Sequence, residues 1–222
     1  MRVIVFDLGG TLMEYEGMPN SWVDYYEQGF EKINTKYDCK KSASDISKSV
    51  DILKTFNPRV HYREKEYSPE FIFSNVLEHW NIDVAVKDCI YTFFEGLQLK
   101  AKIFLDTISV LEELRNRKYK IATLTDLPTA MPDELFKRDI SELFKYFDLY
   151  MSSSICGFRK PNCTGLRQIA EYFNVPITEL IFVGDEEKDR KTAQNADCKF
   201  VYVNRKGGNG IQDLHELLDI LI

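Results

Sequence analysis

Five short runs, at residues 2–6, 120–124, 149–152, 180–183 and 199–203, are largely apolar and rich in Val, Ile, Phe and Tyr. Near-continuous runs of this length suit strands buried on both faces, as in a parallel sheet. Helical spacing fills most of the gaps. Ile108, Leu111 and Leu114 precede the second run, and Leu166, Ile169, Ala170 and Phe173 precede the fourth. Residues 189–196 separate the fourth run from the fifth, and Ile211, Leu214, Leu217, Leu218 and Leu221 close the chain. Strands alternating with helices predict an α/β fold with a doubly wound parallel sheet.

Residues 7–119 lie between the first and second runs, too many for one crossover. Most of this stretch is patterned as helix. Trp22, Tyr25, Tyr26, Phe30, Ile33 and Tyr37 share one face, and Ile46, Val50 and Leu53 mark a second helix. Ser68-Pro69-Glu70 is a helix start, with Ser as N-cap and Pro in the first turn; Phe73, Val76, Leu77 and Trp80 continue it. Cys89, Ile90, Phe93, Phe94 and Leu97 mark another helix. The reading is an all-helical insertion at 14–98 in an α/β core formed by 1–13 and 99–222. A helix near 107–117 returns to the core. Residues 55–67 read as a connector carrying Arg59, His61, Tyr62 and Arg63, and 129–139 as a loop around Pro132.

Composition narrows the function classes. The 222 residues are 44% hydrophobic and 29% charged, which suits an ordinary globular core. The net charge is −6, and no basic run exceeds pairs such as Lys40-Lys41, which argues against nucleic acid as a partner. The apolar runs are too short to span a bilayer, and no signal-peptide pattern precedes the first strand, so the expectation is a cytoplasmic protein without a membrane partner. Five scattered cysteines with no CxxC predict free thiols. The aromatic residues of the insertion fit a monomer or a homodimer equally well.

In a parallel α/β sheet, ligands bind beyond the carboxyl ends of the strands. Four polar elements fall there. Asp7-Leu8-Gly9-Gly10-Thr11-Leu12 follows the first run; a strand-end carboxylate can attack phosphorus, and the glycines allow a sharp turn that aims backbone N–H groups at a ligand. Thr125-Asp126 follows the second run and offers a hydroxyl to phosphate oxygens. Lys160-Pro161 offers a cation. Gly184-Asp185-Glu186-Glu187-Lys188-Asp189 follows the fourth run and, with Asp7, gives an oxygen donor set suited to Mg²⁺. Each element alone has an ordinary explanation as a turn, a cap or a solvated side chain. Together, in this order, they supply nucleophile, hydroxyl, cation and metal ligands.

This set resembles the four motifs of the haloacid dehalogenase superfamily: Asp-x-Asp-x-Thr, a strand-end Ser or Thr, Lys-Pro, and Gly-Asp-x-x-x-Asp. The likeness covers residues 1–13 and about 100–205, and the insertion lies where that family carries a helical cap. The resemblance implies a core strand order of 5-4-1-2-3. It implies that Asp7 attacks phosphorus, Thr125 binds the phosphoryl oxygens, and Lys160 orients Asp7 and stabilises negative charge. It further implies that Asp185 binds Mg²⁺ directly, with Asp189 in support and the Gly9 carbonyl as a further ligand. Gly9, Gly10 and Asp126 line the expected substrate position. The substrate is then a small phosphorylated molecule.

One position departs from the pattern. Phosphatases of this family usually carry a second Asp two residues after the nucleophile, which protonates the leaving oxygen and later activates water; here it is Gly9. General acid–base help is worth ~10²–10⁴ in rate. Three readings follow: a phosphatase that prefers good leaving groups or borrows Asp126, Glu14 or an insertion residue; a carbon–halogen or carbon–phosphorus hydrolase; or a slow or inactive member that binds a metabolite or protein. Retention of Asp185 and Asp189 speaks against the metal-free dehalogenase pattern.

Overall fold

Four of the five apolar runs form one parallel sheet. The computed structural model describes residues 2–19 and 21–221. In chain order the strands are β1 (Val3–Phe6), β2 (Met13–Tyr15), β3 (Ala101–Ile103), β4 (Lys120–Thr123), β5 (Leu180–Gly184) and β6 (Lys199–Tyr202). The helices are α1 (Tyr26–Lys36), α2 (Ala43–Phe56), α3 (Pro69–Leu77), α4 (Val86–Gly96), α5 (Thr107–Asn116), α6 (Asp133–Asp139), α7 (Ser153–Cys156), α8 (Thr164–Phe173), α9 (Glu187–Ala196) and α10 (His215–Ile220). The main sheet runs β4-β1-β5-β6, all parallel, and β2 pairs with β3 in a separate ribbon.

The expected third core strand, at 149–152, is reduced to two parallel bridges, Ala122 to Leu149 and Thr125 to Ser152. Its place beside β4 gives the order 5-4-1-2-3. The ladder breaks because the Met151 N–H donates to Thr123 Oγ1 at 3.0 Å in place of a backbone carbonyl. Ile211 also departs from expectation. It does not join the last helix but bridges to Val203, with its N–H on the Tyr202 carbonyl and its carbonyl accepting from the Asn204 N–H. Gly210 makes this possible: its φ is +104°, and a Cβ there would sit 2.6 Å from the Tyr202 oxygen.

The chain divides into two compact units. One comprises Met1–Glu14, Ala101–Asp126 and Lys137–Ile222; the other comprises Tyr15–Lys100 and Leu127–Phe136. In the first unit the sheet buries Val3, Val5, Leu180 and Phe182 against Leu166, Ile169 and Phe173 of α8 and Ala193 of α9. Ile4 and Phe6, which alternate with Val3 and Val5, are fully buried as well, so β1 shows the two-sided burial that its apolar run requires.

The second unit is helical and packs on aromatics. Phe30 of α1 lies 5.0 Å from Phe93 of α4 and 6.2 Å from both Phe73 and Trp80, ring centre to ring centre. Gly29 allows this approach, since a Cβ would meet the Phe93 ring at 2.5 Å. Ser42 caps α2 in a capping box and Ser68 caps α3 ahead of Pro69. Residues 129–139 are not a loop throughout: α6 begins at Asp133, with Asp133 and Glu134 in its first turn and Lys137 and Arg138 in its last, an order that suits the helix dipole. Pro132 precedes it, and the Leu135 N–H donates to the Pro132 carbonyl. Two cysteines, Cys89 and Cys156, are buried, the other three are partly buried, and none of the five forms a disulfide. No helix among the described residues is long and apolar enough to cross a membrane.

A buried ion pair fixes the loop after β1. Asp106, 5% exposed, accepts from Arg205 Nη1 at 2.9 Å and Nη2 at 3.1 Å, and from the Leu214 N–H at 2.7 Å. Arg205 Nη2 also donates to the Thr11 carbonyl at 2.7 Å, and its guanidinium stacks 3.9 Å over Phe104. Arg205→Met removes the cation and leaves Asp106 charged and buried. We expect a loss of about 3 kcal/mol, a fall in Tm of roughly 6–12 °C for a chain of this size. Thermal unfolding by circular dichroism checks this; an unchanged Tm would mean that the pair bears no load.

Candidate active site

Strand register sets the positions of three of the site's residues. Phe6 pairs with Thr123 on one side and Val183 on the other. One residue further, the Asp7 N–H donates to the Val183 carbonyl at 2.9 Å and the Leu124 N–H to the Phe6 carbonyl at 2.8 Å. Asp7, Thr125 and Asp185 therefore leave the carboxyl ends of three adjacent strands at nearly the same level. Thr125 is 2% exposed and Asp7 4% exposed.

The loop after Asp7 is wound tightly on Leu8, whose carbonyl accepts from the N–H groups of Thr11, Leu12 and Met13. Gly10 has φ +80°, and a Cβ there would overlap the Asp185 carboxylate at 2.1 Å, so this position requires glycine twice over. Gly9 is different. A Cβ built on it meets nothing within 4 Å and its φ is ordinary, so the missing side chain is not imposed by space. Thr11 Oγ1 donates to Asp185 Oδ1 at 3.1 Å, joining the first motif to the fourth.

Lys160 lies at the centre. Its Nζ is 2.7 Å from Asp7 Oδ1 and 2.5 Å from Asp189 Oδ1, with both partners and the lysine almost fully buried. Asp189 is held from its other oxygen by the Glu186 N–H at 2.9 Å. Asp7, Asp185 and Asp189 each present an oxygen, and the three oxygens lie within 4.8 Å of one another. Of the residues singled out in the sequence, the structure thus brings Asp7, Gly10, Lys160, Asp185 and Asp189 into one cluster. Thr125 stands at the adjacent strand end, and Gly9 lies exposed on the loop.

Charge is strained here. Burial pushes the Asp7 carboxyl up to about 8 against the pull of Lys160, and the Asp189 and Asp185 charges push the same way. Burial, then Asp189 and Glu186, push Asp185 up to about 6. Burial alone would lower the Lys160 ammonium, but Asp189, Asp7 and Asp126 outweigh it and hold it above its ordinary value. A largely buried, oxygen-only donor set in which Asp7 and Asp185 resist ionising fits a hard divalent cation such as Mg²⁺.

Asp126, beside Thr125, is engaged by two lysines. Its Oδ1 accepts the Lys160 backbone N–H at 3.0 Å, and its Oδ2 pairs with Lys188 Nζ at 3.2 Å. Burial opposes its charge, but Lys188, Arg159 and Lys160 hold it well below the usual carboxylate range. Lys188 also pairs with Glu186 at 2.8 Å. Sequence reasoning missed Lys188 and Thr11. The available signal for Lys188 was a cation in the first turn of α9, where the helix dipole disfavours it.

Residues 1–197 match the haloacid dehalogenase-like hydrolase family. Among curated relatives, the enolase-phosphatase E1 of Leptospira borgpetersenii is 27% identical over 123 residues, 55% of this chain and 52% of that protein. The match therefore spans about half the length of that relative. The phosphoglycolate phosphatase of Aliivibrio fischeri is 22% identical over 200 residues, covering 89% of this chain and 82% of that one. Among solved structures, a 2-haloacid dehalogenase from Pseudomonas syringae superposes with a TM-score of 0.72 at 17% identity, covering 100% of this chain and 98% of that one, which speaks to the fold. With a family match across nearly its whole length and a parallel sheet that gathers the motif residues at its strand ends, the chain belongs to the haloacid dehalogenase-like hydrolase family.

Proposed function

We propose that the chain is a Mg²⁺-dependent phosphatase for a small phosphorylated molecule, acting through an aspartyl-phosphate on Asp7. The observation that carries this reading is the buried Lys160 ammonium between Asp7 and Asp189, beside the Asp185 carboxylate. The phosphatase names of the two curated relatives support it.

Asp7 and Asp185, with the Gly9 carbonyl, would hold Mg²⁺; Asp189, engaged at both oxygens by Lys160 and Glu186, would support from behind. When bound, the cation would neutralise charge on the phosphoryl oxygens and favour the ionised form of its carboxylate ligands. An Asp7 oxygen attacks phosphorus, the P–O bond to the leaving group breaks, and that oxygen departs with the electron pair. Thr125 donates to a phosphoryl oxygen. Lys160 favours the ionised form of Asp7 against its burial, aims it, and balances negative charge as it builds. Water then attacks phosphorus in the aspartyl-phosphate and frees Asp7.

Proton transfer is the weak point. Gly9 provides no acid. Asp126 is unsuited to the task, because its cationic neighbours keep it ionised. Glu14 pairs with Lys102 at 3.5 Å. The leaving oxygen is left to solvent, which favours substrates whose leaving group needs little protonation. A second reading, a metabolite-binding protein with slow turnover, draws on the same glycine.

The first test is phosphate release from aryl phosphate and a panel of phosphorylated metabolites. Mg²⁺-dependent release should be lost in Asp7→Asn by at least ~10³-fold. No release from any substrate, in folded protein that binds Mg²⁺, would sink the phosphatase reading in favour of binding.

Gly9→Asp meets nothing within 4 Å of the new Cβ, and Gly9 is exposed. It should raise kcat on alkyl phosphates by ~10²-fold or more and change aryl phosphate much less. Equal effects on both substrates would show that leaving-group protonation is not the limitation.

Mg²⁺ binding should also depend on pH. The folded carboxyls at Asp7 and Asp185, at about 8 and about 6, stand above their unfolded values. Without the cation, the folded state therefore binds more protons than the unfolded one, and its stability falls as pH rises from about 4 to about 8. Mg²⁺ competes with those protons, so its affinity should rise over pH 6–8 and binding at pH 7 should release protons. Calorimetry in buffers of different ionisation enthalpy reads this; pH-independent affinity would mean the cation sits elsewhere.

A further inference from the structure

Lys188 sits at the second position of α9, beside Asp189. The positive end of the helix dipole disfavours a cation there unless other groups hold it. Two carboxylates do so: Glu186 Oε2 at 2.8 Å and Asp126 Oδ2 at 3.2 Å. Asp126 Oδ1 in turn accepts the Lys160 backbone N–H at 3.0 Å. Lys160 then carries its ammonium to Asp7 and Asp189.

A continuous line of contacts therefore runs from the Lys188 side chain through the Asp126 carboxylate and the Lys160 main chain to the nucleophile. It ties together three segments: the loop after β4, the segment around Lys160, and the first turn of α9. The middle segment needs such a tie. Residues 159–163 lie in neither helix nor strand, and the sheet edge nearest to them in sequence, at 149–152, forms bridges only. The Lys160 ammonium must nevertheless be held to a fraction of an ångström, because reaction geometry is steeply sensitive to placement. Lys188 also keeps partial exposure, with 29% of its side chain accessible against 1% for Lys160. It is separate from the buried ammonium and can be altered without emptying the cluster.

We propose that Lys188 is a positioning residue: through Asp126 it fixes the main chain at Lys160, and so the ammonium that aims Asp7. The kinetic consequence rests on the phosphatase reading; the structural consequence does not.

The experiment compares the full chain with Lys188→Met, Lys188→Arg and Asp126→Asn in the presence of Mg²⁺. It reads the ¹⁵N–¹H signal and the solvent exchange of the Lys160 amide, together with turnover of aryl phosphate. In Lys188→Met the Lys160 amide proton should move upfield and exchange at least ~10-fold faster, while the amides of β1 stay in place. Turnover should fall by ~10–100-fold in kcat with KM within ~3-fold. Lys188→Arg should restore the amide signal and most of the rate. Lys188→Met and Asp126→Asn together should be no worse than the more severe of the two, since they cut one line of contacts. An unmoved Lys160 amide in folded Lys188→Met overturns the proposal. So does a raised KM with kcat unchanged, which would make Lys188 a substrate contact. If Lys188→Met does not fold, Lys188→Gln is judged by the same criteria. A Lys160 amide that responds in a protein with no turnover supports the positioning role and counts against the phosphatase reading alone.

Discussion

A single buried ammonium organises this molecule's strand-end cluster. Lys160 is almost completely removed from water, as are Asp7 and Asp189 on either side of it. None of these charges is tolerable by itself at such depth. Lys160 is stable as a cation because two carboxylates face it, and those carboxylates are tolerable together because Lys160 separates them. Asp185 adds a further negative charge with no cation of its own, and the raised values at Asp7 and Asp185 register that imbalance. One more positive charge would relieve that imbalance, and the all-oxygen donors suit a hard one.

The scaffold meets the cluster's demands with rigid parts. Parallel register puts three strand ends at one level, so no long loop is needed to bring Asp7, Thr125 and Asp185 together. The loop after Asp7 is wound on the Leu8 carbonyl and clamped from outside by Arg205 on the Thr11 carbonyl. Arg205 is itself fixed by two hydrogen bonds to Asp106 and by Phe104 beneath it. Planar guanidinium geometry makes that clamp directional, which lysine cannot match. Gly10 completes the arrangement by letting the Asp185 carboxylate lie against the backbone.

Gly9 is the exception, because nothing in the fold demands it. Its neighbour Gly10 is required by backbone conformation and by contact, whereas Gly9 has free space and an ordinary φ. The loop leaves open space for a Cβ there. The proposed consequence of the glycine is therefore for proton supply and not for the architecture. Asp126, the nearest acid in the sequence argument, is bound into a structural line with Lys188 and Lys160 and stays ionised.

The sequence by itself determined the fold class, most of the elements and the identity of the motif residues. Buried parallel strands must be apolar on both faces and helices must repeat their apolar positions, so β1, β4, β5, β6, α5, α8 and the helices of the insertion were legible from pattern alone. Local chemistry marked Ser68 as a cap by the logic of orphaned N–H groups, whereas the capping box at Ser42 emerged only in the structure. Tertiary structure decided what pattern cannot encode. A hydroxyl on Thr123 diverts the Met151 N–H and reduces an expected strand to bridges. The N–H and carbonyl of Ile211 are captured by the end of β6, which removes it from the helix its spacing predicted. The salt-bridged partners of Lys188 lie 62 residues away at Asp126 as well as two residues away at Glu186, and only the folded chain shows that they meet. Periodicity reports which face of an element is buried; it does not report which polar group meets which, because that depends on contacts between segments far apart in the chain.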